Sequence, residues 1–319
     1  MRFLTVPQDF TPIADGLCFG FATDEEPREV VVEVVDVESD EVVGRKVLCD
    51  ISEGEVDIAP YVERLTAAGP ATNGVTCLDE APHGVYAVAI DGERSPAVVI
   101  SRNRVLPIVP SWLSTMPQNR DIAHGEADEL ALFVPAGAVV AMHVESDGGE
   151  VVDAEYVAAS GAVVACVATA DFSRSTRRLE VGLSCNGEPM LSLYYNVVAG
   201  HRSDVRLVWL SDAGTVERYT FPTMQEMSRS VVRQRIVQGQ LPVAVDCLTE
   251  QRVRLISRYE SRAVAAALAE IVSSPRVWCE VKGVVSEVDV VSVASTLYSF
   301  ARPDSVEVEL RLWRKEVGL

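Results

Sequence analysis

The chain has 319 residues, of which 48% are hydrophobic and 24% charged; this composition is typical of a globular protein and excludes a disordered one. The net charge of −19 is uneven, because residues 1–160 hold 29 acidic and 9 basic side chains and residues 161–319 hold 18 and 19. Phosphate repulsion therefore makes nucleic acid a poor partner for the first half, and the length predicts two or three domains.

No run of about 18 uncharged apolar residues occurs, so the sequence predicts no membrane insertion. The first nine residues contain an acid and no apolar core, so no signal peptide is seen. We therefore expect the protein to remain in the cytoplasm until it is assembled into a particle.

Residues 1–105 predict an acidic N-terminal β-sandwich. Valines alternate with acids in its first strand, as in a strand with one exposed face, and Asp91-Gly92 is a strong hairpin dipeptide. A short helical turn is expected at 58–65. The predicted strands cover residues 30–38, 42–50, 84–90 and 95–101.

Residues 106–128 are polar and irregular and predict a linker or long loop. A second β-rich domain is predicted over 129–204, where short strands are separated by turns such as Asn186-Gly187. Its predicted strands cover residues 130–133, 138–144, 151–158, 161–168, 179–184 and 190–198.

Residues 205–319 predict a C-terminal β domain with one α-helix at 261–272. Ser261 is suited to the N-cap, and Val264, Leu268 and Ile271 lie on one helical face. The arginines of residues 224–237 could line a helix, but a twisted strand is favoured. Further predicted strands cover residues 205–210, 216–221, 276–281, 286–294 and 305–313, with a hairpin turn at 211–214. The fold class is thus mainly β: two β-sandwich-like domains, then a β-rich domain with one helix.

The sequence contains no recognisable catalytic, metal-binding or cofactor-binding motif. We therefore expect no enzyme activity and no cofactor, and reduced, buried thiols for most cysteines. The acids at 24–26 and 36–41 could hold Ca²⁺, although such runs are usually solvated faces. The interface candidates are Trp209, Tyr219 and Phe221, for which a place in the core is the stronger alternative.

Residues 206–221, Arg-Leu-Val-Trp-Leu-Ser-Asp-Ala-Gly-Thr-Val-Glu-Arg-Tyr-Thr-Phe, resemble the WLN..GG...YTF hairpin of uncharacterised prophage tail or virion proteins of Bacteroidetes-type gut bacteria. The chain departs from that family at Ser211-Asp212. The stretches 9–13, 57–61, 271–278 and 306–311 are also similar in layout. The resemblance implies a tail-tube-like or hub-like α+β protein that forms rings with its own copies and with other tail or virion proteins.

The resulting functional hypothesis is a non-catalytic structural protein that oligomerises through its β-domains. Two alternatives stay open. One is a carbohydrate-binding or host-surface-binding module built from Ig-like domains, which would need export. The other is a hydrolase on a β-scaffold, because paired carboxylates meet in space and leave no trace in sequence.

Overall fold

The computed structural model describes residues 1–23, 26–62, 70, 74–201, 204–222, 224–238, 241–281, 284–292 and 305–312. The described chain is mainly β, with several sheets, which confirms the predicted fold class. No helix within these residues has the length and apolarity needed to cross a membrane. Trp313 and the acids at 24 and 25 lie outside the described residues.

The N-terminal unit is two sheets around one core. A three-stranded sheet (β1-β2-β5) faces a sheet ordered β4-β3-β7-β8, with β9 paired to β7. Alternating residues of both sheets, such as Phe19, Val32 and Ile90, fill the core. The elements are β1 (Arg2–Thr5), β2 (Cys18–Ala22), β3 (Arg28–Asp36), β4 (Glu41–Ile51), β5 (Glu53–Asp57), α1 (Ala59–Val62), β6 (Cys77–Glu80), β7 (His83–Ile90), β8 (Glu93–Arg94) and β9 (Val98–Ser101).

The second unit is also a sandwich, with sheets ordered β10-β12-β15-β6 and β11-β17-β16-β13-β14. Its core contains residues of both sheets, among them Leu132, Val144 and Tyr195. The elements are β10 (Ser111–Leu113), β11 (Asn119–Ala123), β12 (Ala127–Phe133), β13 (Val139–Ser146), β14 (Val151–Val157), β15 (Ala162–Ala168), β16 (Arg178–Cys185) and β17 (Glu188–Val198).

Two features of this sandwich differ from the sequence-based expectation. The segment 106–128, predicted as a linker or long loop, contains β10 and β11, and β11 pairs in parallel with β17. The segment was predicted to be a loop because it is polar. Its polar residue Arg120 is nevertheless buried, together with charged partners. In addition, β6 lies within 1–105 in sequence but pairs with β15 of the second sandwich.

The C-terminal unit is one seven-stranded sheet ordered β19-β18-β22-β23-β24-β21-β20, with the helix covering one face. The helix begins at Arg262, and Ser261 caps it by accepting a hydrogen bond from the Val264 N–H. Val264, Leu268 and Ile271 are all buried, as the helical spacing predicts. The elements are β18 (Val205–Leu210), β19 (Val216–Phe221), β20 (Met224–Gln238), β21 (Leu241–Ile256), α2 (Arg262–Ala269), β22 (Val277–Val281), β23 (Val284–Val290) and β24 (Glu307–Leu312).

Candidate assembly surface

The three aromatic residues predicted as interface candidates lie in the core of the C-terminal unit. Trp209 and Phe221 are 0% exposed and Tyr219 is 6% exposed. The rings of Tyr219 and Phe221 meet edge to face at 5.0 Å, and the Tyr219 hydroxyl donates to Glu260 Oε1 at 2.6 Å. Burial, together with this carboxylate, raises the pKa of Tyr219. The structure therefore places all three side chains in the core, which was the alternative to an interface.

Buried charges join the second sandwich to the C-terminal sheet. The guanidinium of Arg120 has Nη1 3.1 Å from Asp128 Oδ2 and 3.6 Å from Glu217 Oε2. Its Nη2 donates to Ser114 Oγ at 2.7 Å, and the Tyr195 hydroxyl donates to Asp128 Oδ2 at 2.9 Å. Buried charges are costly unless they are compensated in this way. This cluster therefore ties β11 and β12 to β19.

Two further arginines extend the same contact. Arg206 Nη1 lies 2.6 Å from Glu126 Oε2, and its Nη2 donates to the Ala127 carbonyl at 2.7 Å. Arg218 Nη2 lies 2.9 Å from Glu129 Oε2. We call the whole set the charged seam, and its members are Arg120, Glu126, Asp128, Glu129, Arg206, Glu217 and Arg218.

The part of the charged seam formed by Arg120, Asp128 and Glu217 is too deeply buried to reach a substrate. Burial raises the pKa of Glu217 to about 7, and the nearby Arg120 opposes this increase. The side chains of Arg120, Asp128 and Glu217 are only 3%, 5% and 1% exposed. A hydrolase needs carboxylates that reach a substrate, so these two act structurally.

The charged seam was missed by sequence reasoning although one signal was present. In β19, the adjacent residues Glu217 and Arg218 are both buried. A solvated strand places only every second residue on its wet face. Adjacent opposite charges inside an otherwise apolar strand therefore indicate that both faces are covered and that each charge has a partner.

Metal binding finds little support in the described acids. No group of three or more His, Cys, Asp or Glu side chains converges within the described residues. Asp36 Oδ1 accepts hydrogen bonds from the Glu38 and Ser39 N–H groups, and Asp40 lies 2.6 Å from Arg94 Nη2. Asp36 thus stabilises the β3–β4 turn, and Asp40 connects this turn to β8. Burial raises the pKa of the Cys166 and Cys279 thiols to about 12, so both stay protonated near neutral pH.

The longest strands of the described chain form the hairpin of β20 and β21, which have 15 and 16 residues. Among the described residues, β24 pairs with β21 over 251–256, whereas β20 and β21 remain paired with each other as far as Gln238 and Leu241. At about 3.3 Å per residue, the ten residues 241–250 extend roughly 30 Å beyond Leu312, the last residue that the structure describes in β24. We call residues 229–238 and 241–250 the arm.

The outer strand of the arm is cationic and apolar. β20 ends the order of its sheet, so its outer edge faces away from the described strands. Along the arm, the side chains of Arg229, Val231, Arg233, Arg235 and Ile236 are exposed. Exposed valine and isoleucine on an edge strand are characteristic of a surface that pairs with another chain.

β14 is a second exposed edge, and it is acidic. It is the last strand of its sheet, and its outward side chains are Val151, Asp153, Glu155 and Val157. Asp153 Oδ1 lies 2.6 Å from His143 Nδ1 of β13. A shallow depression on this face is lined by residues of β13, β14, β16 and β17, none of them phenylalanine, tyrosine or tryptophan. The aromatic platform typical of sugar sites is therefore missing from this depression.

Comparisons with known proteins do not assign a family. No family model and no curated protein matches the chain. Among solved structures, a chain of the complex of Dpr2 Ig1-Ig2 with DIP-Theta Ig1-Ig3 matches at 9% identity over 100% of this chain and 90% of that chain, with a TM-score of 0.20. The chicken interferon gamma receptor alpha chain matches at 8% identity over 60% of this chain and 93% of that chain, with a TM-score of 0.16. Scores this low carry no argument about fold or function.

Proposed function

We propose that this chain is a non-catalytic structural protein that assembles with further copies of itself through the arm. The observation that carries the proposal is the length of the β20–β21 hairpin beyond the described residues of β24. A two-stranded ribbon is at best marginally stable in water, because it buries little apolar surface. An arm of this length gains stability when a third strand or another surface covers it.

The composition of the arm supports a protein partner. Its exposed apolar residues, Val231 and Ile236, lose contact with water in a protein interface. Its arginines match the acidic first half of the chain, which carries 29 acidic against 9 basic residues. Opposite charges on two surfaces of one chain favour association between copies.

The specific form of this proposal is a tail or virion component, following the resemblance of the 206–221 hairpin to prophage proteins. Under this proposal the protein stays in the cytoplasm until it enters the particle, where other tail or virion proteins are its further partners. A carbohydrate-binding role would require an exposed ligand site, and the depression beside β14 is not lined by any phenylalanine, tyrosine or tryptophan.

The test is the mass of the full chain and of an arm-shortened variant, measured by light scattering after size exclusion over a wide concentration range. In the variant, Asn-Gly replaces residues 231–249, so that the paired residues Ser230 and Glu250 flank a two-residue turn. We expect the full chain, with a mass of 34.6 kDa per copy, to form a ring or a concentration-dependent oligomer. The variant, which is 17 residues shorter, should stay at its own monomer mass.

Circular dichroism and thermal unfolding provide the folding control for the variant. A full chain that remains monomeric at every concentration would overturn the proposal. Assembly that is unchanged when the arm is shortened would also overturn it.

A further inference from the structure

We infer that the arm strand β20 of one copy pairs antiparallel with the edge strand β14 of another copy. This inference rests on the proposed function and names the surface that receives the arm. Among the strands that the structure describes, both lie at the end of their sheets, so each presents a row of backbone N–H and C=O groups to a partner strand. Strand addition at a free edge satisfies these groups, and alternate side chains provide specificity.

The two strands carry complementary patterns at the same spacing. Along β14, alternate residues from Val151 to Val157 are Val, Asp, Glu and Val; along β20, alternate residues from Val231 to Val237 are Val, Arg, Arg and Val. One antiparallel register matches every position, with the pairs Val151–Val237, Asp153–Arg235, Glu155–Arg233 and Val157–Val231.

The alternation of side chains along β20 continues through the register shift between β20 and β21. The register with β21 shifts between Gln234, opposite Asp246, and Arg235, opposite Ala244. The extra residue therefore belongs to β21, and β20 keeps its regular alternation. Side chains directly opposite each other on one face of an antiparallel pair interact, and opposite charges there are favourable.

The other long edge strand fits the arm less well. β4 ends its sheet and exposes Val42 and Val47, but Arg45 and Lys46 lie between them. Because Arg45 and Lys46 point to opposite faces of β4, one of them would share a face with Arg233 and Arg235 in any pairing there, and like charges directly opposite are destabilising. β14 offers two acids at the corresponding positions. Asp153 uses Oδ1 for His143 and retains Oδ2 for an arginine.

The inferred contact joins two different surfaces of the same chain. A contact of this heterologous kind generates a closed ring when the rotation between copies closes, and a filament when it does not. The pairing thus accounts for an assembly of many copies from one type of interface.

The first experiment reverses the charges on each side of the contact in the full chain. The edge variant is D153R/E155R and the arm variant is R233E/R235E, and each alone should remain monomeric. Mixed together they should assemble, because each acidic arm meets a basic edge and each basic arm meets an acidic edge. The control variants E29R/E41R and R174E/R177E carry the same charge changes at exposed positions elsewhere and should assemble as the wild type does.

The second experiment tests the register by cross-linking. One batch carries V231C and the other V157C, both with the exposed Cys49 replaced by serine, so that only contacts between copies join the two cysteines. Mild oxidation should give the 157–231 disulfide, identified by mass spectrometry. The pair V231C with V151C, six residues out of register, should give at most a tenth of that yield.

The results separate the inference from the proposed function. Assembly that needs the arm but is indifferent to D153R/E155R, or that gives no 157–231 disulfide, would overturn the β14 pairing and leave the assembly function standing. A chain that never assembles would overturn both.

Discussion

Arg120 and Asp128 form an ion pair that joins the two sheets of the second sandwich, with Arg120 Nη1 3.1 Å from Asp128 Oδ2 and both side chains almost fully buried. Arg120 lies on β11 in one sheet and Asp128 on β12 in the other. Because Glu217 of β19 contacts the same guanidinium, this pair also connects the sandwich to the C-terminal sheet.

Removal of the Arg120 guanidinium should strongly destabilise the protein. R120A leaves Asp128 and Glu217 buried without their cation, and loss of one partner of a buried pair typically costs about 3–5 kcal/mol. Urea unfolding measures the change. The control is R94A, because the pair of Arg94 with Asp40 is 49% and 74% exposed and should contribute about 0–1 kcal/mol. Equal effects of the two substitutions would contradict the structural role of the charged seam.

Glu217 should make stability fall as pH rises toward neutrality. Its pKa is raised to about 7 in the folded protein by burial, against about 4.3 in an unfolded chain. Between these values the folded state binds a proton that the unfolded state has released, so the free energy of unfolding decreases with pH. Relative to E217Q, the wild type should lose about 1–3 kcal/mol between pH 4.5 and 8. Chemical unfolding at several pH values tests this, and parallel curves for the two proteins would refute it.

Gly214 should tolerate alanine much less well than Gly187 does. Both have φ near +80°, which strains any L-residue by a similar amount. A Cβ at Gly214 would lie 2.2 Å from the Arg102 carbonyl oxygen, whereas a Cβ at Gly187 meets nothing within 4 Å. We expect G214A to cost at least about 1–3 kcal/mol more than G187A in thermal unfolding. Equal melting temperatures would show that the β18–β19 turn does not contact the 102–104 segment closely.

Substitution of an exposed valine on the arm should weaken assembly without affecting the fold. Val231 is 41% exposed, so V231E should change the stability of the monomer by no more than about 0.5 kcal/mol. It should nevertheless reduce association, because it places an acid within the surface that docks. V47E, at a similarly exposed valine on β4, is the control and should assemble normally. Loss of assembly in both variants would point to a general effect of charge.

Local patterns in the sequence predicted the elements well. Asp91-Gly92 and Asn186-Gly187 both adopt positive φ in hairpin turns, as their dipeptide chemistry requires. The helix at 261–272 was predicted from its cap and its apolar spacing, although its last turn, 270–272, is a 3₁₀ helix. Strand β20 was favoured over a helix, and the structure confirms a strand.

The pairing of segments that are distant in the sequence could not be predicted from it. The place of β6 in the second sandwich and the parallel pairing of β11 with β17 depend on contacts between distant segments. The charged seam contains residues that are far apart in the sequence, such as Arg120 and Glu217, so no local spacing of residues predicts it. The arm could not be predicted from the sequence, because it is defined by the residues of β21 that lie beyond the described pairing with β24.

The most direct test of assembly through the arm is hydrogen exchange of the backbone amides of 230–237, measured at a concentration where the chain is monomeric and at one where it is assembled. About half of these amides point away from β21, because hydrogen bonds to one neighbour use alternate residues of an antiparallel strand. We predict that these outward amides exchange rapidly in the monomer and become protected in the assembly, while buried amides such as that of Leu207 do not change. Outward amides that exchange equally fast at both concentrations would contradict the account.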